Sequence, residues 1–361
     1  MNIFGKKPVY LQCKSFQRSI HTMEHTSETT AHRQTRFILI TLLAIIIIFL
    51  VVSLLTCYEA VNAEVHARHV GIAHVASVKI EKTVKGMEMN AMNEFDEVEK
   101  HLDSPESVIA ALKSKVNLNP EVRGYFAAFE PKYFPQEGIW FEPYIHHVDS
   151  GEFVIRQVGS PRHDYHRSDW YVRAKKSTDS FWSDPYYYFD GTNISGRYTT
   201  FVKPIYDKTG RLVCVCGADM TFEWLTKELQ RIDDDSKNDD LRSRYSLFGH
   251  DDHFMVVINN DGSCIAYPEG KRLLLTKEQM NNSLMLKKSG SIDTKVNGVA
   301  STVYFAPIEH VDWMVAVVVT KQNIFKPLIV PFVVLLLTTI LGIILIFVLR
   351  NRLAKLQLFP H

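Results

Sequence analysis

The chain has 361 residues, a formal net charge of +1, 46% hydrophobic residues and 22% charged residues. These averages resemble those of a soluble protein with one or two domains. Two uncharged apolar runs argue against that class, because residues 37–58 and residues 327–349 each exceed the ~20 residues that cross a bilayer as a helix. The sequence therefore disfavours an ordinary cytoplasmic enzyme.

The charges are distributed unevenly along the chain. Residues 1–36 contain six lysines or arginines and two glutamates, a balance of +4, and residues 350–361 contain three basic residues and no acid, a balance of +3. Residues 37–349 therefore carry −6. Basic flanks mark the cytoplasmic ends of membrane spans. We predict that both termini are cytoplasmic and that residues 59–325 lie outside the cytoplasm.

The first apolar run also fits a cleaved signal peptide, because Val61-Asn62-Ala63 supplies a small-residue cleavage site. The run is longer than the ~7–15 residues of a signal core, and a long polar leader precedes it. We therefore predict a cytoplasmic tail over residues 1–36 and an uncleaved transmembrane helix over residues 37–58.

Residues 59–102 predict one long stalk helix that continues the first span. They contain no proline and only two glycines, and their apolar residues recur at steps of three and four. This apolar stripe packs either against its own domain or against a second copy of the chain. A new helix is predicted after Ser104, which serves as its N-cap, with Pro105 in its first turn.

From about Val122 the apolar pattern becomes alternating, which predicts strands. A hairpin turn is predicted at residues 207–210, and a helix over Thr221–Ile232. We assign residues 103–232 to a membrane-distal lobe. Its predicted strands are Gly124–Phe129, Trp140–His146, Phe153–Gln157, Thr199–Tyr206 and Leu212–Ala218.

A second, smaller α+β pattern follows a polar run. We predict a connection at residues 233–253, a membrane-proximal lobe at 254–325, a second transmembrane helix at 326–349 and the start of a truncated cytoplasmic output region at 350–361. The predicted strands of the proximal lobe are Phe254–Asn259, Ser263–Tyr267, Gly290–Lys295, Ala300–Pro307 and Trp313–Thr320.

Four motifs of the distal lobe follow one another in an order that resembles the double Cache (dCache) sensor domain of bacterial transmembrane receptors. The resemblance implies an α+β fold, with a long N-terminal stalk helix and two PAS-like lobes of antiparallel sheet between two transmembrane helices. It also implies a homodimer in the inner membrane with a periplasmic sensor region. The motifs are Asp169-Trp170-Tyr171, Trp182-Ser183-Asp184-Pro185-Tyr186, Lys203-Pro204-Ile205-Tyr206-Asp207 with Gly210, and Val215-Cys216-Gly217-Ala218-Asp219.

Two further segments, Ala128-Phe129-Glu130-Pro131 and Tyr133-Phe134-Pro135, resemble sensors of Bacteroides-like bacteria. Those sensors are fused to serine phosphatases of the sporulation-phosphatase type or to histidine kinases. The resemblance thus implies a sensory input module with a cytoplasmic output, such as a phosphatase or a kinase. We expect that output on a continuation of the chain or on another polypeptide.

The resemblance places the ligand in the distal lobe. In amino-acid-binding members of the family, an arginine and a Trp-Tyr pair bind the carboxylate, and the Pro-Tyr tyrosine and the Gly-x-Asp aspartate bind the ammonium group. Trp170, Tyr171, Tyr186 and Asp219 stand at matching positions. The aromatic residues also fit a core role that braces the loop, and Asp219 also fits a cap on the helix near Thr221.

The chain departs from this pattern at two positions. Ser168 stands where the arginine is expected, one residue after Arg167, and Arg173 replaces a second ammonium-binding aspartate. We therefore expect a polar or anionic small molecule, bound by an arginine and tyrosine hydroxyls, with an amino-acid-like ligand as the alternative. The predicted ligand-binding residues are Tyr165, Arg167, Trp170, Tyr171, Arg173, Tyr186 and Asp219.

No motif of a hydrolase, a nucleotide-binding loop, a metal site or a nucleic-acid-binding module occurs in the sequence. We predict no enzyme activity in this chain, no cofactor, no metal and no nucleic-acid partner. Its partners are a small ligand, the bilayer and a second copy. The alternative is a membrane-anchored structural or partner-binding protein with a Cache-like fold and no small ligand, and a membrane-anchored ectohydrolase is a remote third hypothesis.

Overall fold

A computed structural model describes residues 9–114, 121–148, 152–189, 195–238, 253–259, 261–271, 273, 275 and 288–357. One compact unit combines the chain up to Glu64 with the chain from Phe325, and the other is Val65–Ile324. The helices are α1 (Val9–Lys100), α2 (Pro105–Ser114), α3 (Asp169–Ala174), α4 (Phe222–Asn238), α5 (Lys321–Phe325) and α6 (Ile329–Gln357).

The first unit contains two helical segments that are long and apolar enough to cross a membrane. They belong to the helical stretches Arg33–Lys100 of α1, which continues into the second unit after Glu64, and Ile329–Arg352 of α6, and their most apolar windows have mean hydropathies of 3.4 and 3.2. No residue of these windows is buried. Large apolar side chains of these helices are exposed in the isolated chain; Phe49, for example, is 68% exposed. Apolar surface of this extent fits contact with lipid, as both predicted spans require.

The distal lobe is built on an antiparallel sheet. Its strand order is β3-β2-β1-β7-β6-β4, and β5 pairs with β6 beside β4. The two longest strands, β6 and β7, form the hairpin that the sequence predicts around Asp207. The strands are β1 (Val122–Phe129), β2 (Pro143–His147), β3 (Phe153–Gln157), β4 (Phe181–Trp182), β5 (Tyr186–Phe189), β6 (Ser195–Tyr206) and β7 (Leu212–Thr221).

The proximal lobe contains a second antiparallel sheet, with the order β10-β11-β12-β8-β9 among the residues described. The α+β class and the two sheet-containing lobes are therefore confirmed. The strands are β8 (His253–Asn259), β9 (Cys264–Ala266), β10 (Gly290–Val296), β11 (Val299–Ile308) and β12 (Trp313–Thr320).

One face of each sheet packs against the apolar stripe of α1. Ile80 and Phe95 of that stripe are fully buried in one cluster with Cys216 of β7 and Val257 of β8. Successive residues of a strand point to opposite faces, so Val215 belongs to another cluster on the far face. The stripe therefore packs against its own domain. The homodimer remains a prediction.

Helix α4 continues into the segment that the sequence assigns to a connection between the lobes. We predicted its end at Ile232, and it ends at Asn238. The helix continues beyond Ile232 because Asp233 is buried, and its carboxylate lies 3.0 Å from Nε2 of His253 and 2.6 Å from Nζ of Lys237. The start of the polar run is thus a packed helical turn. The remainder of the predicted connection, residues 239–252, lies outside the described residues.

Candidate ligand-binding site

The centre of the distal sheet positions Asp219 on the face away from α1. Asp219 lies on β7, opposite Gly124 of β1 and Thr200 of β6. A Cβ atom at Gly124 would lie 2.6 Å from the ring of Tyr144. The missing side chain therefore lets the Tyr144 ring lie across β1, beside the carboxylate of Asp219.

A small cavity of about 30 Å³ surrounds this carboxylate. It contains a second acidic group, because Glu142 also lines it, and the two residues are only 3% and 8% exposed. Its walls are mainly aromatic, and among the residues described no lysine or arginine lines it. The lining residues are Phe126, Glu142, Tyr144, Val158, His163, Trp170, Tyr186, Tyr188, Tyr198 and Asp219.

The two carboxylates differ in their contacts. Thr200 Oγ1 donates a hydrogen bond to Oδ1 of Asp219 at 2.6 Å, and the Tyr186 hydroxyl donates to the same oxygen at 3.4 Å. Oε2 of Glu142 lies 3.5 Å from Nε2 of His163. The site therefore holds one carboxylate within a hydroxyl network and a second one beside an imidazole.

Burial changes the protonation of both groups. Desolvation raises the pKa of Asp219 to about 6, although the hydrogen bonds from Thr200 and Tyr186 oppose the shift. Desolvation, reinforced by the charge of Asp219, raises the pKa of Glu142 well above its ordinary value. A carboxylate with a raised pKa in a cleft is typical of a functional site. Both carboxyl groups therefore gain from a positively charged partner, which no lysine or arginine among the described lining residues provides.

A groove of about 370 Å³ adjoins the cavity. Cavity and groove share four lining residues, among them Trp170 and Tyr186. The groove also contains Arg173, whose guanidinium lies 3.9 Å from the ring centre of Phe181 and donates a hydrogen bond to the Trp182 carbonyl at 3.3 Å. The site thus combines a small acidic cavity with a larger groove that contains a cation.

Four of the seven residues predicted from the sequence line this site. Trp170, Tyr186 and Asp219 line the cavity, and Trp170, Tyr186 and Arg173 line the groove. The Trp170 ring packs against Phe126, with ring centroids 5.0 Å apart. Asp219 lies within β7, two residues before the strand ends at Thr221, and its carboxylate faces the cavity.

The other three predicted residues line neither the cavity nor the groove. The Tyr165 hydroxyl donates to the Phe129 carbonyl at 2.6 Å, and the Tyr171 hydroxyl donates to Oε1 of Glu130 at 2.9 Å. Burial raises the pKa of both phenols. The side chain of Arg167 is 88% exposed. These contacts tie the two tyrosines to the lobe's framework.

The Tyr165 contact gives a stability prediction. Replacing Tyr165 by phenylalanine removes a buried hydroxyl that bonds the Phe129 carbonyl at 2.6 Å and the Phe141 carbonyl at 3.3 Å. We expect the free energy of unfolding to fall by about 1 kcal/mol, the usual net contribution of a buried hydrogen bond. Denaturant unfolding of the purified chain measures this change. An unchanged unfolding midpoint would show that Tyr165 has no bracing role.

Sequence reasoning missed Glu142, Tyr144, His163 and Tyr198. The sequence does mark Glu142, because it is an acidic residue between Phe141 and Pro143, inside a segment predicted as a strand. A charged residue within an apolar strand is buried only when something compensates for its charge. His163 lies in a loop and reaches the cavity through tertiary folding, and no local pattern marks it.

The distal lobe matches a known family of sensor domains. Residues 108–227 match the family model described as the first PDC sensor domain of methyl-accepting chemotaxis protein-like proteins. This range includes every strand of the distal sheet and the candidate site. Comparison with curated protein sequences gives no match.

Solved structures share the fold of both lobes. The chain is similar to methyl-accepting chemotaxis protein X, with 19% identity over 72% of this chain and 99% of that protein and a TM-score of 0.58. It is also similar to the periplasmic sensory domain of the Campylobacter jejuni chemoreceptor Tlp1, with 13% identity, coverage of 74% and 99% and a TM-score of 0.59. These findings are consistent with the double Cache resemblance: residues 108–227 match a PDC sensor-domain model, and both lobes share the fold of solved sensor domains.

Proposed function

We propose that the chain is the ligand-binding input of a two-pass membrane receptor, and that its distal lobe binds a small organic amine. One observation carries the choice of ligand: Glu142 and Asp219 line one buried cavity with aromatic walls and no described lysine or arginine. Buried carboxylates are unfavourable without a positive partner. An ammonium group supplies that partner, and the faces of tyrosine and tryptophan rings add cation–π attraction.

The dimensions of the site support the same ligand. The cavity of about 30 Å³ has room for a group of the size of one water molecule. An ammonium head fits such a space, and the remainder of the ligand would lie in the groove of about 370 Å³. Arg173 in that groove allows a carboxylate or another acceptor at the far end of the ligand.

The proposed ligand is positively charged, whereas the sequence favoured a polar or anionic ligand. The anionic ligand was to be bound by Arg167 or Arg173. Arg167 lies on the surface with its guanidinium 3.4 Å from the carboxylate of Asp164, and Arg173 lines only the groove beside the cavity. A negative group inside the cavity would meet two carboxylates.

Signalling requires that the ligand distinguish two arrangements of the chain, because only differential affinity shifts a conformational equilibrium. We propose that an amine draws the cavity walls together, and that this change reaches the membrane spans and a cytoplasmic output such as a phosphatase or a kinase. In this proposal both termini are cytoplasmic and the sensor lies outside the cytoplasm, as the basic flanks indicate.

A matched pair of probes tests the ligand class. The full chain in nanodiscs of zwitterionic lipid is heated with butylamine or with butyrate, which have the same chain length and opposite charge. We expect butylamine at about 100 times its Kd to raise the melting temperature of the sensor by roughly 5 °C, and butyrate to have no effect. Stabilisation by butyrate alone would contradict the amine proposal. No effect of either, or of amino acids, would favour the structural alternative.

A further inference from the structure

A second, larger cleft lies where the two lobes meet α1. We call it the lobe-junction cleft. It has a volume of about 760 Å³, within the range of ~300–1,000 Å³ that is usual for small-molecule sites. Its walls come from α1, from the segment around β4 and from residues 309–313 of the proximal lobe. None of the residues that line the acidic cavity lines this cleft, although Arg173, Phe181, Ser183 and Asp184 line both the cleft and the groove beside the cavity.

The cleft has an excess of negative charge. Among the described residues one lysine and one arginine line it, and both have contacts of their own: Nζ of Lys85 lies 2.5 Å from the carboxylate of Glu81, and Arg173 stacks on Phe181. His310 also lines the cleft, with Nδ1 3.7 Å from Oε2 of Glu88. Four carboxylates line the same space, and they come from all three walls. These residues are Glu88, Asp184, Glu309 and Asp312.

A buried amide also faces the cleft. Asn259 at the end of β8 is 5% exposed and lines the cleft, and its side chain has no hydrogen-bond partner within the part of the chain that the structure describes. A ligand with a hydrogen-bonding group would contact this amide.

Two indole rings complete the walls. Trp182 and Trp313 lie with their ring centroids 6.1 Å apart at an interplanar angle of 55°. Nε1 of Trp182 donates a hydrogen bond of 2.7 Å to Oε1 of Glu88. Tryptophan has the aromatic face that attracts cations most strongly. The cleft therefore offers carboxylates, an amide and indole faces to one ligand.

We propose that the lobe-junction cleft is a second binding site, and that its ligand is an aliphatic polyamine with two or more ammonium groups. The carboxylates on separate walls require separated positive charges, which a single ammonium head does not provide. A ligand there contacts α1 and both lobes at once, so it fixes their arrangement. This inference does not depend on the amine proposal for the distal cavity.

The test uses spermidine and isothermal titration of the full chain in nanodiscs of zwitterionic lipid. The chain carries Asp219→Asn, which weakens any binding of an amine in the distal cavity. We expect saturable binding, weakened at least about tenfold by Asp312→Asn combined with Glu309→Gln, because both charged contacts are lost and neither residue lines the groove of the distal lobe. Both residues are exposed, so the fold of the variant should persist, and its melting temperature checks this. Asn259→Ala should weaken binding as well.

The control is Glu223→Gln, which removes one exposed carboxylate of α4 outside the cleft. Its spermidine affinity should equal that of the parent chain. Equal affinities of the double variant and the control would mean that spermidine follows the general charge of the surface, which would overturn the proposal. The absence of saturable binding to the parent chain would overturn it too.

Discussion

Replacing Asp219 by asparagine is expected to lower the affinity for butylamine roughly 100-fold, because losing one partner of a buried charge pair usually costs ~2–5 kcal/mol of binding free energy. The change keeps the shape of the side chain and removes only its charge. Asp219 accepts hydrogen bonds from Thr200 and Tyr186, and an amide oxygen can accept them as well. Isothermal titration of the full chain in nanodiscs measures the loss.

The matched control is Asp179→Asn, an exposed aspartate of the same lobe that lines neither the cavity nor the groove. Its affinity for butylamine should stay within about twofold of the original, as for a screened surface charge. Asp219→Asn should keep the cooperative unfolding of the sensor, since a neutral side chain avoids the cost of burying a charge. Unchanged butylamine affinity in Asp219→Asn would remove this residue from the site.

The affinity for butylamine is expected to fall about tenfold for each pH unit below 6, by roughly 100-fold at pH 4 relative to neutral pH. The reason is that Asp219 has a pKa of about 6 and loses its negative charge on protonation. The raised pKa of Glu142 acts in the same direction. An alkylammonium group remains protonated over this range, because its pKa resembles that of lysine, about 10.4. Titrations between pH 4 and 8 test the slope, and an affinity that is flat or rises towards acid would contradict it.

The free energy of unfolding of the ligand-free sensor should fall as the pH rises, whereas the affinity for butylamine should rise. The pKa of Asp219 rises from 3.8 to about 6 on folding, so the native state holds this proton more tightly than the unfolded chain does. The stabilisation is complete below pH 4 and is lost as the pH rises through 6. A shift of this size corresponds to roughly 3 kcal/mol. Asp219→Asn should remove this part of the pH dependence in denaturant unfolding.

The strands could be predicted because they depend on local pattern. The hairpin between β6 and β7 is an example: Asp207 Oδ1 accepts hydrogen bonds from the backbone of Thr209 and Arg211, and Gly210 has φ = +79°, a conformation that favours glycine. The Gly-x-Asp motif placed Asp219 in the site for a similar reason, since its position along β7 fixes the face on which it lies.

The direction of the loop side chains could not be predicted in the same way. Tyr165 and Tyr171 stand close to Trp170 in the sequence, yet their hydroxyls bond to Phe129 and Glu130, which are distant along the chain. Glu142 reaches Asp219 only because β2 pairs with β1 and β1 pairs with β7. The charge of the cavity, and with it the sign of the proposed ligand, depends on this tertiary contact.

The most direct test of the account is whether an amine in the Asp219 cavity changes the membrane-spanning helices. Spin labels at Arg36→Cys and Arg350→Cys, in a chain whose five cysteines are replaced, report the distance between the two basic flanks by pulsed electron paramagnetic resonance. Labelled chain is diluted with unlabelled chain in nanodiscs. Butylamine should shift the distance distribution, and Asp219→Asn should abolish the shift. A distribution that stays unchanged at saturating butylamine, or a shift that persists in Asp219→Asn, would contradict the account.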